Sequence, residues 1–166
     1  QRLNMTSRKF HAQQQKKITY KTFEISHPAN GVLRYVGGQF YSKTLTLKSG
    51  QQATFEPIQM KVSLPNMSEY GTLSMKVDIG RVGSQLKEKL RLIDDYNIAT
   101  PNTETTPFTY REFVDGVETI SFNMWVRDFV IDGQMVAIVA SDDNPSAINV
   151  AKTYKVESFP GLAVLS

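Results

Sequence analysis

The sequence contains no cysteine among its 166 residues. This absence excludes a disulfide framework, thiolate metal ligands and cysteine-based catalysis. Histidine is also scarce, with two in the whole chain. His11 and His27 are far apart, and neither has a second ligand at the spacing of a zinc site, which needs three or four ligands. We therefore expect both histidines to be surface or turn residues.

Excess charge of one sign and long apolar runs are missing as well. Lys and Arg total 19 against 16 acidic residues, a net charge of +3, which is too small an excess to predict the basic face of a nucleic-acid-binding protein. No apolar run approaches the roughly 18 residues of a membrane span, so we expect no membrane insertion. A hydrophobic content of 40% is typical of a globular domain.

Motifs that carry chemistry are absent too. The segment from Gly80 to Ser84 lacks the third glycine of a dinucleotide fingerprint and the Gly-Lys-Ser/Thr of a P-loop. The acidic pairs Asp94-Asp95 and Asp142-Asp143 lack the closing Glu of a calcium loop. The sequence therefore predicts no catalytic residue, no metal ligand and no cofactor, and we expect the protein not to be an enzyme.

The stretch from Phe55 to Ile93 has the clearest pattern. Apolar and polar residues alternate over 58–64 and again over 73–79, which is the period of a half-buried strand. Pro65-Asn66 is expected to end the first strand. A helix is predicted over about 84–95, with Ser84 as its N-cap. The predicted apolar stripe consists of Val82, Leu86, Leu90 and Ile93.

The rest of the chain consists of short β-like segments between turn residues. Asp115-Gly116 and Asp132-Gly133 are strong hairpin signals. Residues 134–140 have no polar face, so we place them centrally in a sheet and covered on both sides. The polar segment 94–107 is expected to be a loop. The sequence thus predicts a mainly β fold, a β-sandwich or barrel of about nine to ten short antiparallel strands with one flanking helix.

Residues 1–17 are polar and basic and predict an N-terminal arm before a single β domain over 18–166. The residues leave two interpretations open: the arm orders against a neighbouring subunit, or it is a solvated, frayed terminus. The candidate partner contacts in this arm are Arg8, Phe10 and Lys16.

A series of short stretches runs in order from about Tyr20 to Leu162: Thr22 to Pro28, Leu33 to Val36, Leu45 to Leu47, Thr54 to Pro57, Val62 to Pro65, Leu73 to Gly80, Tyr110 to Phe113 and Phe159 to Leu162. In this order and spacing the series resembles a family of minor tail proteins from the tail tip of long-tailed bacteriophages. The match is thinnest over 94–107 and 142–153.

The resemblance implies a structural virion protein, similar to tail-tube and distal-tail ring subunits. Such subunits form rings, commonly hexameric, that join the tail tube to the hub and fibre proteins. The implied partners are further copies of the chain, tail-tube or neighbouring tail-tip ring proteins, the hub protein and the tape-measure protein. DNA would be met only in transit. The implied location is the virion tail tip, after synthesis in the host cytoplasm.

If the chain forms such a ring, hairpins around 65–71 and 114–118 are candidates for the channel lining. Their tips carry acidic residues and no Lys or Arg, as a surface that DNA crosses without sticking requires. Without the resemblance they are ordinary solvent-facing turns. The candidate channel-lining residues are Glu69, Asp115 and Glu118. Two further candidate contact residues are Trp125 and Phe159.

The alternative function is a ligand- or glycan-binding β-sandwich module. In that hypothesis Trp125, Tyr110 or Phe113 provides a stacking platform. The mass in solution separates the two hypotheses, because a chain that is monomeric at all concentrations would favour the binding module.

Overall fold

The computed structural model describes residues 17–67, 72–80, 84–100, 105–133 and 135–143. Within these ranges the chain forms nine strands and one helix, which confirms the mainly β fold with one flanking helix. The elements are β1 (Thr19–His27), β2 (Gly31–Gly37), β3 (Lys43–Thr46), β4 (Gln52–Ile58), β5 (Met60–Met67), β6 (Leu73–Ile79), α1 (Ser84–Ala99), β7 (Pro107–Val114), β8 (Val117–Asp132) and β9 (Met135–Ser141).

The nine strands form one sheet in the order β3-β4-β2-β1-β7-β8-β9-β6-β5. Every pairing is antiparallel except that of β2 with β4, so the prediction of antiparallel strands is wrong at this one pair. The reason is the β3–β4 hairpin, which reverses the chain once more before β4 comes alongside β2. The parallel contact covers three residue pairs, from Tyr35 and Glu56 to Gly37 and Ile58.

The sheet curves until its two ends approach each other. Only Gln59 separates β4 from β5, although these strands are second and last in the strand order. A residue spans at most about 3.6 Å, so Ile58 and Met60 lie within about 7 Å. A Cβ added to Gly37 would lie 2.8 Å from the Met60 side chain, so Met60 packs directly on the end of β2. The sheet is therefore rolled like a barrel, although its strand order stays linear.

The main core lies between the helix and the concave face of this sheet. Leu86, Leu90 and Ile93 are buried, which confirms these three members of the apolar stripe predicted for the helix. The fourth predicted member, Val82, lies outside the described residues. They pack in one cluster with side chains from β1, β2, β6, β7, β8 and β9. Large members of that cluster on the strands are Phe23, Ile25, Val77, Ile79, Phe108, Tyr110 and Ile138.

The turn between β1 and β2 holds the second half of the helix. His27 is buried, so the expectation of a surface residue was wrong. The alternative expectation of a turn residue is confirmed, because the His27 carbonyl accepts the Asn30 N–H at 3.1 Å across the turn. His27 Nδ1 accepts the Ala29 N–H at 3.1 Å, which leaves Nε2 to donate to Asn97 Oδ1 at 3.1 Å. The imidazole also meets the Tyr96 ring edge-on at 5.0 Å. These contacts explain why α1 continues to Ala99, so that the first part of the predicted loop 94–107 is helical.

A second, smaller core lies on the opposite face of the sheet. Val36 points away from Leu33 and Tyr35 because side chains alternate along β2, and it packs with residues of the β3–β4 hairpin. Phe55 of β4 and Phe113 of β7 meet edge to face at 6.1 Å. The hairpin therefore covers the convex side of the first strands and gives this half of the molecule two β layers.

Two predictions about β5 were wrong. Pro65 does not end the strand, which continues to Met67 with a register shift between Ser63 and Asn66. Proline is tolerated there because β5 is the last strand in the order, where a missing N–H breaks no ladder, and because a bulge leaves one residue unpaired. The same shift turns Leu64 outward, so that it is exposed rather than in the core.

The apolar strand β9 is central, as predicted, since it lies between β8 and β6. The expectation that both of its faces are covered was wrong. Val136, Ile138 and Ala140 are buried against the helix side, whereas Met135 on the other face is exposed. For Ser84, the predicted N-cap, α1 begins at this residue, but its side chain lies outside the described part of the structure.

The helix stripe yields a stability prediction with an internal control. Leu90→Ala should lower the free energy of unfolding by about 2–5 kcal/mol, because it empties a fully buried site. Leu92→Ala, two residues away on the exposed side, should change it by less than about 0.5 kcal/mol. Urea unfolding measures both values, and equal losses would show that the helix does not dock through this stripe.

Candidate interaction surface

The structure describes five of the residues that the sequence singled out as candidate sites. These are Asp115, Glu118, Trp125, Tyr110 and Phe113. The remaining candidates lie outside the described residues: Arg8, Phe10, Lys16, Glu69 and Phe159.

Asp115 lies in the predicted hairpin turn and is used inside the chain. Asp115 and Gly116 have φ values of 51° and 82°, the left-handed pair of a type I′ turn, which confirms the hairpin predicted at this position. Asp115 Oδ1 accepts the Ile18 N–H at 3.0 Å, and the Asp115 N–H donates to the Ile18 carbonyl at 2.9 Å. The carboxylate therefore fixes the chain just before β1.

Glu118 does not have the exposure that a channel-lining residue requires. Its side chain is 7% exposed. One carboxylate oxygen accepts the Lys48 N–H at 2.7 Å, and the other lies 3.9 Å from Arg111 Nε. The register of β7 with β8 sets Glu118 opposite Phe113, on the face that the β3–β4 hairpin covers. The prediction of a free carboxylate at this tip was therefore wrong.

Glu118 belongs to a row of charges on the convex face of the sheet. Arg34 Nε lies 2.6 Å from Glu24 Oε2, and Arg111 Nη1 lies 3.6 Å from the same oxygen. The two arginines and two glutamates balance in charge. Arg111 Nη1 is buried without a hydrogen bond, so the row depends on the ion pairs for its stability. The row connects β1, β2, β7 and β8 to the turn after β3. Each of its four charged side chains is paired with another member of the row, so none of them is left to bind a charged ligand.

The stacking platform proposed for a binding module is mostly absent. Tyr110 and Phe113 are fully buried, so neither can stack on a ligand, and that expectation was wrong. Trp125 is half-buried on the face away from the helix, so only part of its ring area is accessible.

Two buried tyrosines have raised pKa values. Burial, followed by the charge of Glu56, raises the pKa of Tyr35 to about 12. Burial also raises the pKa of Tyr110, and its hydroxyl donates to Glu112 Oε1 at 2.5 Å. Both side chains are therefore protonated at neutral pH, where neither serves as a general base.

Among the described residues, the most exposed large apolar side chains lie in the loop 38–42, which connects β2 to β3. Phe40 and Tyr41 are 94% and 81% exposed. The sequence analysis did not select these two residues. The signal was present, because two adjacent aromatic residues lie between Gly37-Gly38 and Ser42, but this pattern matches no catalytic or metal-binding motif. Both ends of the loop are held, since Gly37 pairs with Ile58 and Lys43 pairs with Phe55. The rings are thus presented by a short, anchored loop.

The described residues offer neither a metal site nor a membrane-spanning helix. In the described part of the chain, no three His, Asp or Glu side chains cluster closely enough to hold a metal ion. The helix found in the same part is too short and too polar to cross a membrane.

Comparison with known families places the chain in one of them. A family model described as a domain of unknown function, DUF1833, matches residues 5–99, more than half of the sequence. The chain belongs to the DUF1833 family. No curated protein gives a significant match.

The family match has a structural meaning. The matched span contains β1–β6 and α1, which supply both outer parts of the sheet. Strands β7–β9 lie between those parts in the strand order. The two flanks of the family segment are therefore joined in the sheet by strands from the region that follows it, residues 107–141.

The charge row yields the next prediction. Glu118→Lys should lower the free energy of unfolding by about 2–4 kcal/mol, because it removes the acceptor of the Lys48 N–H and sets a like charge beside Arg111. Glu88→Lys makes the same charge change at an exposed helix position and should cost less than about 0.5 kcal/mol. Thermal and urea unfolding compare the two, and a stable Glu118→Lys variant would contradict the internal role.

Tyr35 predicts how stability falls at alkaline pH. An unfolded tyrosine has a pKa of about 10, whereas that of Tyr35 is raised to about 12. The stabilisation from the neutral ring is therefore full below about pH 10 and is lost as pH rises toward 12, by at most about 1.4 kcal/mol per pH unit. Urea unfolding from pH 9 to 11.5 should show this loss, and Tyr35→Phe should show a shallower one. Identical slopes would rule out Tyr35 as its source.

Proposed function

We propose that this protein is a structural subunit of a bacteriophage tail tip. In this role it forms a ring, commonly a hexamer in such assemblies, that joins the tail tube to the hub or fibre proteins. DNA crosses the centre of the ring in transit without being bound. The proposal combines the sequence resemblance with the kind of surface that the fold presents.

The observation that carries the proposal is the Phe40–Tyr41 loop. Two aromatic rings held almost wholly in water on a short loop between paired strands are the chemistry of a protein contact, since Tyr, Phe and Trp are enriched at the centres of interfaces. The charged side chains that approach each other on the convex face form ion pairs within the chain. The surface is thus suited to assembly more than to catalysis.

Two of the three candidate channel-lining residues no longer fit that role in the proposed ring. Asp115 and Glu118 make internal contacts, so neither is available as a free acidic tip, and Glu118→Lys is a stability variant rather than a channel probe. Glu69 stays a prediction, because it lies outside the described residues.

The alternative is a glycan-binding module. The exposed rings of Phe40 and Tyr41 also favour this alternative, because aromatic faces stack on sugars. Tyr110 and Phe113 cannot contribute to such a site, since both are buried. Binding of the full chain to glycans, abolished by Phe40→Ala and Tyr41→Ala with no change in its mass in solution, would favour this alternative.

The tail-tip proposal predicts a loss of assembly. In the phage that encodes the chain, removing its gene should give particles without ring density at the tail tip, and supplying the full chain in trans should restore that density and infectivity. Purified tails should contain the chain in a fixed copy number that is a multiple of the ring order. Tails that are complete and infectious without the chain, or that never contain it, would refute the proposal.

A further inference from the structure

Besides the Phe40–Tyr41 loop, the chain leaves a second apolar surface uncovered at the tip of the β7–β8 hairpin. Val117 is 66% exposed, and Ile120 is exposed as well. Val117 pairs with Val114 and Ile120 pairs with Glu112. Because side chains alternate along β7, Val114 and Glu112 share one face, so Val117 and Ile120 also lie on that face. We call Val114, Val117 and Ile120 the hairpin patch.

The hairpin patch lies beside a free strand edge. β8 pairs with β7 from Val117 to Trp125 and with β9 from Trp125 to Asp132. The first half of β8 therefore has a neighbour on one side only, among the residues that the structure describes. A strand edge of this kind leaves backbone N–H and C=O groups available to another chain. The hairpin thus offers both apolar side chains and unpaired backbone groups.

The loop and the hairpin patch do not cover each other within one copy. Phe40, Tyr41 and Val117 are each mostly exposed. The strands that carry them, β2 and β8, are separated by β1 and β7, a distance of about 14 Å at the usual strand spacing. Each surface is therefore free to meet a different molecule.

The composition of the loop selects the kind of surface it fits. Residues 38–42 are Gly, Gln, Phe, Tyr and Ser, with no charge. Lys43, the cation that follows the loop in sequence, lies over the Tyr20 ring at 5.5 Å. An uncharged aromatic pair favours an apolar protein surface over phosphate groups, which require free Lys or Arg. The hairpin patch has that apolar character.

The size of the loop argues for a repeated contact. Two aromatic side chains bury about 300–500 Å² in total, which is less than the roughly 800 Å² per partner of a stable pairwise interface. A contact of this size becomes effective when it is repeated around a closed ring, because each copy then gives one loop and receives another. Since the loop and the hairpin patch are different surfaces, the contact is heterologous, and a heterologous contact forms a ring when its rotation closes.

We propose that the Phe40–Tyr41 loop of one copy packs on the hairpin patch of the next copy of this chain. This inference rests on the proposed ring and names its lateral contact. The loop supplies the aromatic anchors, and the patch supplies Val117 and Ile120 together with the free edge of β8.

The absence of cysteine makes a disulfide test specific. Tyr41→Cys and Val117→Cys are made as separate single variants of the full chain, one of them with a mass tag, and are assembled together into tails. A mixed disulfide can then form only between two copies, and only where their Cα atoms approach within about 7 Å. The matched control pairs Tyr41→Cys with Ile98→Cys, a position on the helix that is 72% exposed.

The expected result is a mixed Tyr41→Cys/Val117→Cys disulfide at a yield about tenfold or more above the Ile98 control. In addition, replacing both Phe40 and Tyr41 by Ser should reduce incorporation into tails more than about tenfold, the effect of losing one interface hot spot, with the melting temperature unchanged. Ile98→Ser should incorporate normally.

The possible failures point to different causes. If the cysteine variants are present in the tail ring and the mixed disulfide stays at the control level, or if Tyr41→Cys pairs mainly with itself, the proposed contact is wrong and the ring proposal stands. If the unmodified chain is absent from tails, the ring and the contact fail together. Normal incorporation of the double Ser variant also overturns the contact.

Discussion

The one-residue link between β4 and β5 is the constraint on which the rest of the fold depends. Gln59 is the one residue that connects β4, the second strand in the order, to β5, the last one. Because so short a link cannot cross a flat sheet of nine strands, the sheet has to curve. The long strand β8 makes this possible, because it pairs with β7 along its first half and with β9 along its second. That stagger is what lets a sheet roll rather than lie flat.

Curvature decides where each apolar side chain finds a partner. The concave face is closed by one helix, and Leu86, Leu90 and Ile93 are enough to gather most of the strands into one core. In the part of the chain that the structure describes, the first strands are covered on the convex face by the β3–β4 hairpin, through Val36, Phe55 and Phe113. The hairpin and the helix thus perform the same task on opposite faces.

Where the hairpin covers the convex face, the charged side chains pair with each other. Glu24, Arg111 and Glu118 approach each other where the hairpin excludes water, and in that setting a charge is stable only beside its opposite. What is left for partners is the surface that the two covers do not reach. Among the described residues it includes the Phe40–Tyr41 loop, the tip of the β7–β8 hairpin and the outer face of β9. The family match covers the residues of the loop but not those of the hairpin tip, so one of the two surfaces lies within the matched span and the other outside it.

Periodicity in the sequence was sufficient to predict the strands, the hairpin at Asp115-Gly116 and the buried stripe of α1, because alternation and turn preferences act between near neighbours. It was not sufficient for the end of the helix, since Tyr96 and Asn97 stay helical through contacts with His27 from another part of the chain. Pro65 shows the same limit, because whether a proline ends a strand depends on whether that strand has a neighbour on its free side.

For the candidate site residues too, some properties follow from the sequence and others depend on tertiary contacts. The sequence determined that no cysteine chemistry is available and that Asp115 lies in a tight turn, and both statements follow from residue type alone. Only the tertiary structure decided that Glu118 is buried and that Phe40 and Tyr41 are exposed. Their positions depend on which strands lie side by side and which face the β3–β4 hairpin covers. Such pairings join residues some seventy positions apart, as between Lys48 and Glu118, and a pattern between neighbouring residues does not encode them.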